Sequence, residues 1–289
     1  PSSALMTAVT ARVAGCDRVV VASPGAHPVM LAAAAIAGAD EFLAVGGPHA
    51  IAALAYGFEA FGPVDAVIGP GNRWVTAAKH IVSGVVGIDM LAGPSELLVM
   101  ADDTADPALV AADLLAQAEH DEDARAMLVT TSEPLRERVE SELCRQLETL
   151  PTRETARVSL RNGFACVAPS VGEAIGVANM IAPEHLEILT ADADEVVPRI
   201  RHAGAVFIGS SSPEVLGDYG AGPNHTLPTG GTARFQAGLS VSSLLRLRTW
   251  VRIENAGEAA ILIEDTRRLA RLEGLDGHDG SAARRAPSV

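Results

Sequence analysis

Three times between residues 18 and 83 the chain passes through an apolar run, a glycine- or proline-rich turn and a helical stretch. The apolar runs are 18–22 (RVVVA), 41–45 and 64–68. The turns are Ser23-Pro24-Gly25, Gly46-Gly47-Pro48 and Gly69-Pro70-Gly71-Asn72. Helical patterns follow over 28–38, 50–56 and from the last turn to about Ser83. Strand, loop and helix at this spacing predict βαβ units and a parallel sheet flanked by helices. A further helix over 2–14, capped by Ser2 or Ser3, precedes them.

A second series begins at 97–100. Strand patterns follow at 126–131, 164–167, 185–190 and 205–208, and helical ones at 133–150, 171–179 and 192–201. Asp106 is a good N-cap and Pro107 suits a first helical position, so another helix carries residues 107–120. Two α/β blocks thus meet near 89–96. From Gln236 the pattern changes to a stretch rich in Leu and Arg, a helix over 256–273 and a polar end that frays from about Ser281. The division expected is 1–94, 95–235 and a C-terminal extension, 236–289.

Composition removes several classes of function. A net charge of −14 disfavours nucleic acid and anionic membrane as partners. No apolar run is long enough to span a bilayer, and no basic region followed by an apolar core opens the chain. Cys16, Cys144 and Cys166 are scattered and odd in number, without a Cys-x-x-Cys pair, which suggests a reducing, cytoplasmic setting. The abrupt Pro-Ser-Ser start looks like the middle of something longer.

Six stretches could carry chemistry. Gln117 and His120 are three apart near a helix end, with Asp113 four before Gln117 on the same face, so a carboxamide oxygen and an imidazole could hold a divalent metal. A polar helix end facing water is the competing reading. Asn72 closes a glycine turn at a helix start, where phosphate binds well, although Gly-x-Gly-x-x-Gly and the Walker loop are missing. Ser95 lies in the turn 92–96 and could reach a substrate or bond the local backbone. Glu184 and His185 follow Pro183 at the edge of a strand and could serve as water activator and base. The loop 217–229 (GDYGAGPNHTLPT) offers Asp218 and His225. Near the end, Glu273 and His278 flank a glycine-rich segment, whereas His27, His49, His80 and His202 read as loop or helix-surface residues on composition alone.

Together the stretches VGGPHAIAALAYG, GPGNRWVTAAK, IDMLAGPSELLVMAD, DLLAQAEH, APEHLE, GDYGAGPNHTLPT and EGLDGH resemble the histidinol dehydrogenase family, in family order and across nearly the whole chain. The resemblance implies two incomplete Rossmann-like parallel-sheet domains with a small helical C-terminal extension. It implies a zinc- and NAD-dependent oxidation of L-histidinol to L-histidine through the aldehyde, in histidine biosynthesis. The zinc ligands would be Gln117, His120, Asp218 and His278, and the catalytic pair Glu184 and His185. Substrate contacts would come from Ser95, His225 and Glu273 together with Gln117, His120, His185, Asp218 and His278. NAD contacts would come from Asn72 and His49. A homodimer is implied, with Glu273 and His278 acting in trans.

Some positions depart from the family. His49 stands where glutamine is usual, Asp279 follows His278 where a small residue is usual, and the segment 244–253 is atypical. Family members also carry further residues before the point matched by Pro1, including part of one domain and a tyrosine of the NAD site. Two alternatives therefore stand beside the first reading. One is a related zinc and NAD dehydrogenase for another small polar alcohol, such as sulfopropanediol. The other is a metal-binding fragment without turnover.

Overall fold

The computed structural model describes residues 1–59, 61–255 and 257–286. Packing divides the chain into two units, Pro1–Leu245 and Arg246–Val289.

The first unit opens with helix α1 (Ser2–Val13), strand β1 (Val20–Ala22), α2 (Pro28–Ile36), β2 (Glu41–Leu43), α3 (Gly47–Tyr56), β3 (Ala66–Val67), α4 (Arg73–Val82) and β4 (Gly87–Ile88). The strands are shorter than the apolar runs suggest. They pair in parallel as β1 with β2 and β3 with β4, in two small sheets. Each sheet has its own core. Ala4, Ala8, Val19, Val21 and Ala33 pack around one, and Ile51, Leu54, Val67, Val82 and Val86 around the other. Small side chains let helices lie close to strands, which suits a chain with only 3% aromatics. Pro1, not a serine, occupies the N-cap of α1 and supplies no side-chain cap bond, so the expected Ser2 or Ser3 cap is not formed.

Next come β5 (Glu96–Ala101), α5 (Pro107–Ala118), β6 (Arg125–Thr130), α6 (Glu133–Leu147), α7 (Arg153–Ser159), β7 (Phe164–Val167), α8 (Val171–Ile181), β8 (His185–Leu189), α9 (Ala193–Val196), β9 (Ala205–Ile208) and α10 (Val215–Tyr219). The five strands form one parallel sheet in the order β7-β6-β5-β8-β9. Every residue of β5 and β8 is buried, as central strands covered on both faces require. Alternate residues feed two cores. Leu97 and Val99 meet Val110, Leu114, Leu135 and Val139, while Leu98 and Met100 meet Ile175, Leu186 and Ile188.

Proline explains two corrections to the expected helices. The 133–150 helix ends at Leu147, and α7 starts just after Pro151, so a stop was legible but the restart was not. The helix expected over 192–201 is α9 followed by a 3₁₀ turn at Val197–Arg199. Pro198 has no N–H to give the preceding turn, and its ring obstructs a continuing α-helix.

The second unit contains α11 (Ala260–Leu272) and α12 (Asp276–Ala283). The helix expected from Ala256 begins later, and Ala256 itself lies outside the described residues. Gly274, at φ 71°, ends α11 in a left-handed turn. The unusual Asp279 has a structural job: its Oδ1 accepts from Arg267 Nε at 2.8 Å and from Arg271 Nη1 at 3.1 Å, tying α12 to α11.

Candidate active site

Open parallel sheets usually bind ligands beyond the carboxyl ends of their strands. Here polar side chains gather at the amino ends of β5 and β8. Ser95 and Glu96 enter β5, Glu184 and His185 enter β8, and the two strands are hydrogen-bonded neighbours. Ala182, just before Pro183, holds φ 51° and ψ 60° while fully buried. A left-handed alanine is strained, and this one turns the chain sharply from α8 into the Glu184-His185 edge. Gly204 permits the neighbouring start of β9, since a Cβ there would come within 2.5 Å of the Glu184 carbonyl oxygen.

Glu184 is buried, and its Oε2 accepts from Ser95 Oγ at 2.7 Å and from the Glu96 N–H at 3.0 Å. Burial outweighs these bonds and pushes its carboxyl up to about 8, helped by the charges of Glu96 and Glu214. His185 is buried too, and desolvation brings its imidazole down to about 4. A neutral imidazole beside a protonatable carboxyl is a pair that can exchange protons with a bound alcohol or water near neutral pH. Ser95 Oγ therefore bonds Glu184 and not its local backbone.

A second group meets the first at α10. Asp218 Oδ2 lies 3.7 Å from His120 Nε2, and its Oδ1 lies 3.5 Å from His225 Nδ1. His185, Glu214 and Asp218 bring one donor atom each within 4.8 Å of one another. The segment 217–229, expected as a loop, begins as the last turn of α10, which gives Asp218 a fixed position. Its later part is pinned to α1, where Asn224 Nδ2 donates to the Met6 carbonyl at 2.9 Å, and the next residue, Gly230, is pinned to the strand edge, its N–H donating to Glu96 Oε1 at 2.9 Å.

The residues fit a metal. Gln117 has no exposed surface, yet neither its Oε1 nor its Nε2 has a hydrogen-bond partner. An orphaned buried carboxamide is costly unless something else satisfies it, and a coordinated cation does so. The 3.7 Å between His120 and Asp218 is close to the separation of about 3.4 Å between two ligands of a tetrahedral zinc. The polar-helix-end reading fails for Gln117, while His120, just past the end of α5, keeps partial exposure.

Three acidic groups of this region escaped the sequence reading. Glu96, Glu187 and Glu214 are almost fully buried. Burial raises Glu96, and burial with the charges of Asp218 and Asp113 pushes Glu214 up to about 7. Glu187 and Asp113 lie against each other, and burial raises both. A carboxylate inside the apolar run HLEIL was the signal for Glu187. Nothing in the sequence around Glu214 marks it.

The cofactor candidates sit elsewhere in the first unit. Asn72 is exposed, and its Oδ1 caps α4 by accepting from Trp74 N–H at 3.1 Å and Val75 N–H at 3.2 Å. His49 is exposed in the first turn of α3. The turn before Asn72 is braced from below. Buried Lys79 bonds buried Asp89 and donates to the Gly69 carbonyl at 3.0 Å, while Asp89 Oδ2 accepts from Gly69 N–H at 2.7 Å. Thr76 Oγ1 then donates to the Ala92 carbonyl at 2.7 Å, linking α4 to the segment that enters β5. Glu273 and His278 are exposed on the second unit, at the end of α11 and on α12.

Residues 1–286 match the family model for histidinol dehydrogenase. The histidinol dehydrogenase of Thermus thermophilus is 51% identical over 278 residues, covering 96% of this chain and 67% of its own length. That of Rhizobium meliloti is 50% identical, covering 98% of this chain and 66% of its own. A crystal structure of histidinol dehydrogenase from Elizabethkingia anophelis superposes with a TM-score of 0.93 at 36% identity, covering 98% of this chain and 67% of that one. The chain thus spans about two thirds of the length of these relatives. It belongs to the histidinol dehydrogenase family, metal-using and NAD-dependent oxidoreductases of histidine biosynthesis.

Proposed function

We propose that the protein oxidises L-histidinol to L-histidine in two steps at the amino-terminal edge of β5 and β8. The observations that carry this reading are the buried Glu184-His185 pair, the His120-Asp218 couple and the orphaned buried carboxamide of Gln117. Gln117, His120, Asp218 and His278 would hold zinc, which when bound fixes and polarises the substrate without changing oxidation state. Ser95, His225 and Glu273 would complete the substrate contacts. Asn72 and His49, at the starts of α4 and α3, would contact NAD.

In the first oxidation His185 takes the alcohol proton as hydride leaves carbon for NAD. Glu184 would then take a proton from the water that adds to the aldehyde while His185 returns its proton to the carbonyl oxygen. In the second oxidation His185 would take the O–H proton of the hydrate as hydride leaves its carbon for a second NAD. Their opposed environments suit these roles: burial keeps His185 neutral and able to accept, and gives Glu184 an affinity for protons matched to neutral pH. A homodimer with Glu273 and His278 acting in trans belongs to this reading, as does a three-part division at 94 and 235. No described helix is long and apolar enough to cross a membrane. The names of the relatives favour histidinol over sulfopropanediol.

The test is NADH formation, followed by absorbance, with zinc, NAD and L-histidinol, with and without a chelator. Turnover that the chelator abolishes is expected. Turnover with sulfopropanediol and none with histidinol would replace the substrate. Zinc bound at about one per chain without turnover would favour the inactive metal-binding reading.

A further inference from the structure

We infer that Glu214 is a positioning residue for His185: its carboxylate accepts the Nδ1–H of the imidazole and leaves Nε2 free to receive the alcohol proton. The role rests on the histidinol-oxidation reading and adds a residue to it. His185 Nδ1 and Glu214 Oε1 face each other at 3.6 Å. Both atoms are buried and neither has a hydrogen-bond partner, nor does Glu214 Oε2. Two orphaned groups this close resolve each other with a shift of about 0.8 Å, since charge-assisted bonds form at about 2.8 Å.

Of the neighbouring carboxylates, the other is worse placed. Glu184 Oε2 lies 3.8 Å from Nδ1, and it already accepts from Ser95 Oγ and the Glu96 N–H. Glu214 is held in place by different means. Its backbone N–H donates to Glu187 Oε1 at 2.7 Å. It also stands at the N-terminal boundary of α10, whose Gly217 comes so close to Phe207 that a Cβ would lie 2.7 Å from the ring. Phe207 in turn flanks His185, with ring centroids 6.0 Å apart. The helix that carries Glu214 and the ring that Glu214 addresses therefore pack against one phenyl group. A neutral imidazole carries its proton on one nitrogen only, and an acceptor at Nδ1 selects that nitrogen.

The chemical step balances with Glu214 in its ionised form throughout. The alcohol O–H and carbinol C–H bonds break, the proton goes to His185 Nε2, the hydride with its electron pair goes to NAD, and a C=O bond forms. The positive imidazolium then sits against the Glu214 carboxylate. The alternative role for Glu214 is metal ligation with Asp218 and His185, whose donor atoms lie within 4.8 Å.

The test reads the tautomer directly. Zinc-loaded protein labelled with ¹⁵N-histidine gives two-bond ¹H–¹⁵N correlations that report which ring nitrogen carries the proton, and His185→Gln identifies the signal. In the wild type the proton is expected on Nδ1. In Glu214→Leu it is expected to move to Nε2, with kcat down about 100-fold and KM and zinc content unchanged. Glu214→Gln keeps an acceptor but not the charge, so Nδ1–H should persist with an intermediate kcat. A wild-type Nε2–H tautomer, or unchanged kcat in Glu214→Gln, would overturn the assignment. Loss of zinc from Glu214→Gln would make it a ligand instead. If Glu214→Leu does not fold, the wild-type tautomer and the Gln variant decide. If the wild type does not oxidise histidinol, the functional reading fails, while the tautomer still tests Glu214.

Discussion

Single residues show where the sequence was readable and where it was not. Glu184 and His185 stood out as adjacent chemistry-bearing groups, but their burial did not, because it depends on which strands end up central. Glu187 is the sharper case. It lies in β8, next to the middle strand β5, buried against Asp113, and both carboxyls hold their protons more tightly than in water. Below pH 4 the group is protonated in folded and unfolded chains alike and adds nothing to the pH dependence. As pH rises towards about 8, the unfolded chain releases its proton while the fold retains it, so stability falls through that window. Glu187→Gln keeps the shape and removes the ionisation. Its stability relative to wild type should therefore improve as pH rises from 5 to 8, by about 2 kcal/mol. Urea unfolding at the two pH values checks this, and a pH-independent difference would mean that the pair is not proton-linked to folding.

At the scale of elements, period and punctuation gave the five strands of the main sheet and most of its helices, because buried parallel strands announce themselves as continuous apolar runs. What they could not give was partnering. Nothing in 18–22, 41–45 and 64–68 says that these strands form two small sheets and not one. The brace beneath the Asn72 turn was equally hidden, since Lys79 and Asp89 are ten residues apart and gain meaning only when both are buried. Lys79 and Asp89 expose 3% and 1% of their side chains, so removing one partner strands a charge in the interior. Lys79→Met should cost about 3 kcal/mol in urea unfolding. Lys79→Met combined with Asp89→Leu should cost less than the two single changes added together. Both single variants should raise KM for NAD more than KM for histidinol, because the turn they release leads to Asn72. Equal effects on the two substrates would detach this turn from the cofactor.

The whole molecule raises a question that neither the sequence nor the packing of one chain answers. Four ligand-type residues were read from the sequence, and three of them, Gln117, His120 and Asp218, fall in the unit Pro1–Leu245. The fourth, His278, lies with Glu273 in the unit Arg246–Val289, on helices fastened to each other by Asp279 with Arg267 and Arg271. A tetrahedral zinc with three ligands from one unit needs a fourth from elsewhere, or leaves the position to water or substrate. If that ligand comes from a second copy of the chain, a symmetric dimer has two mixed sites. His185→Asn disables the catalytic edge of one protomer but leaves its tail intact, and His278→Ala does the reverse. Each variant alone should be almost inactive. Unfolded, mixed and refolded together, they should regain activity. In a mixed dimer the protomer with intact His185 receives the intact tail of its neighbour, so one of the two sites is whole. Equal mixing puts about half of the dimers in this state, so recovery should approach a quarter of wild-type activity. If each tail serves its own chain, every site in the mixture lacks either His185 or His278, and no activity returns.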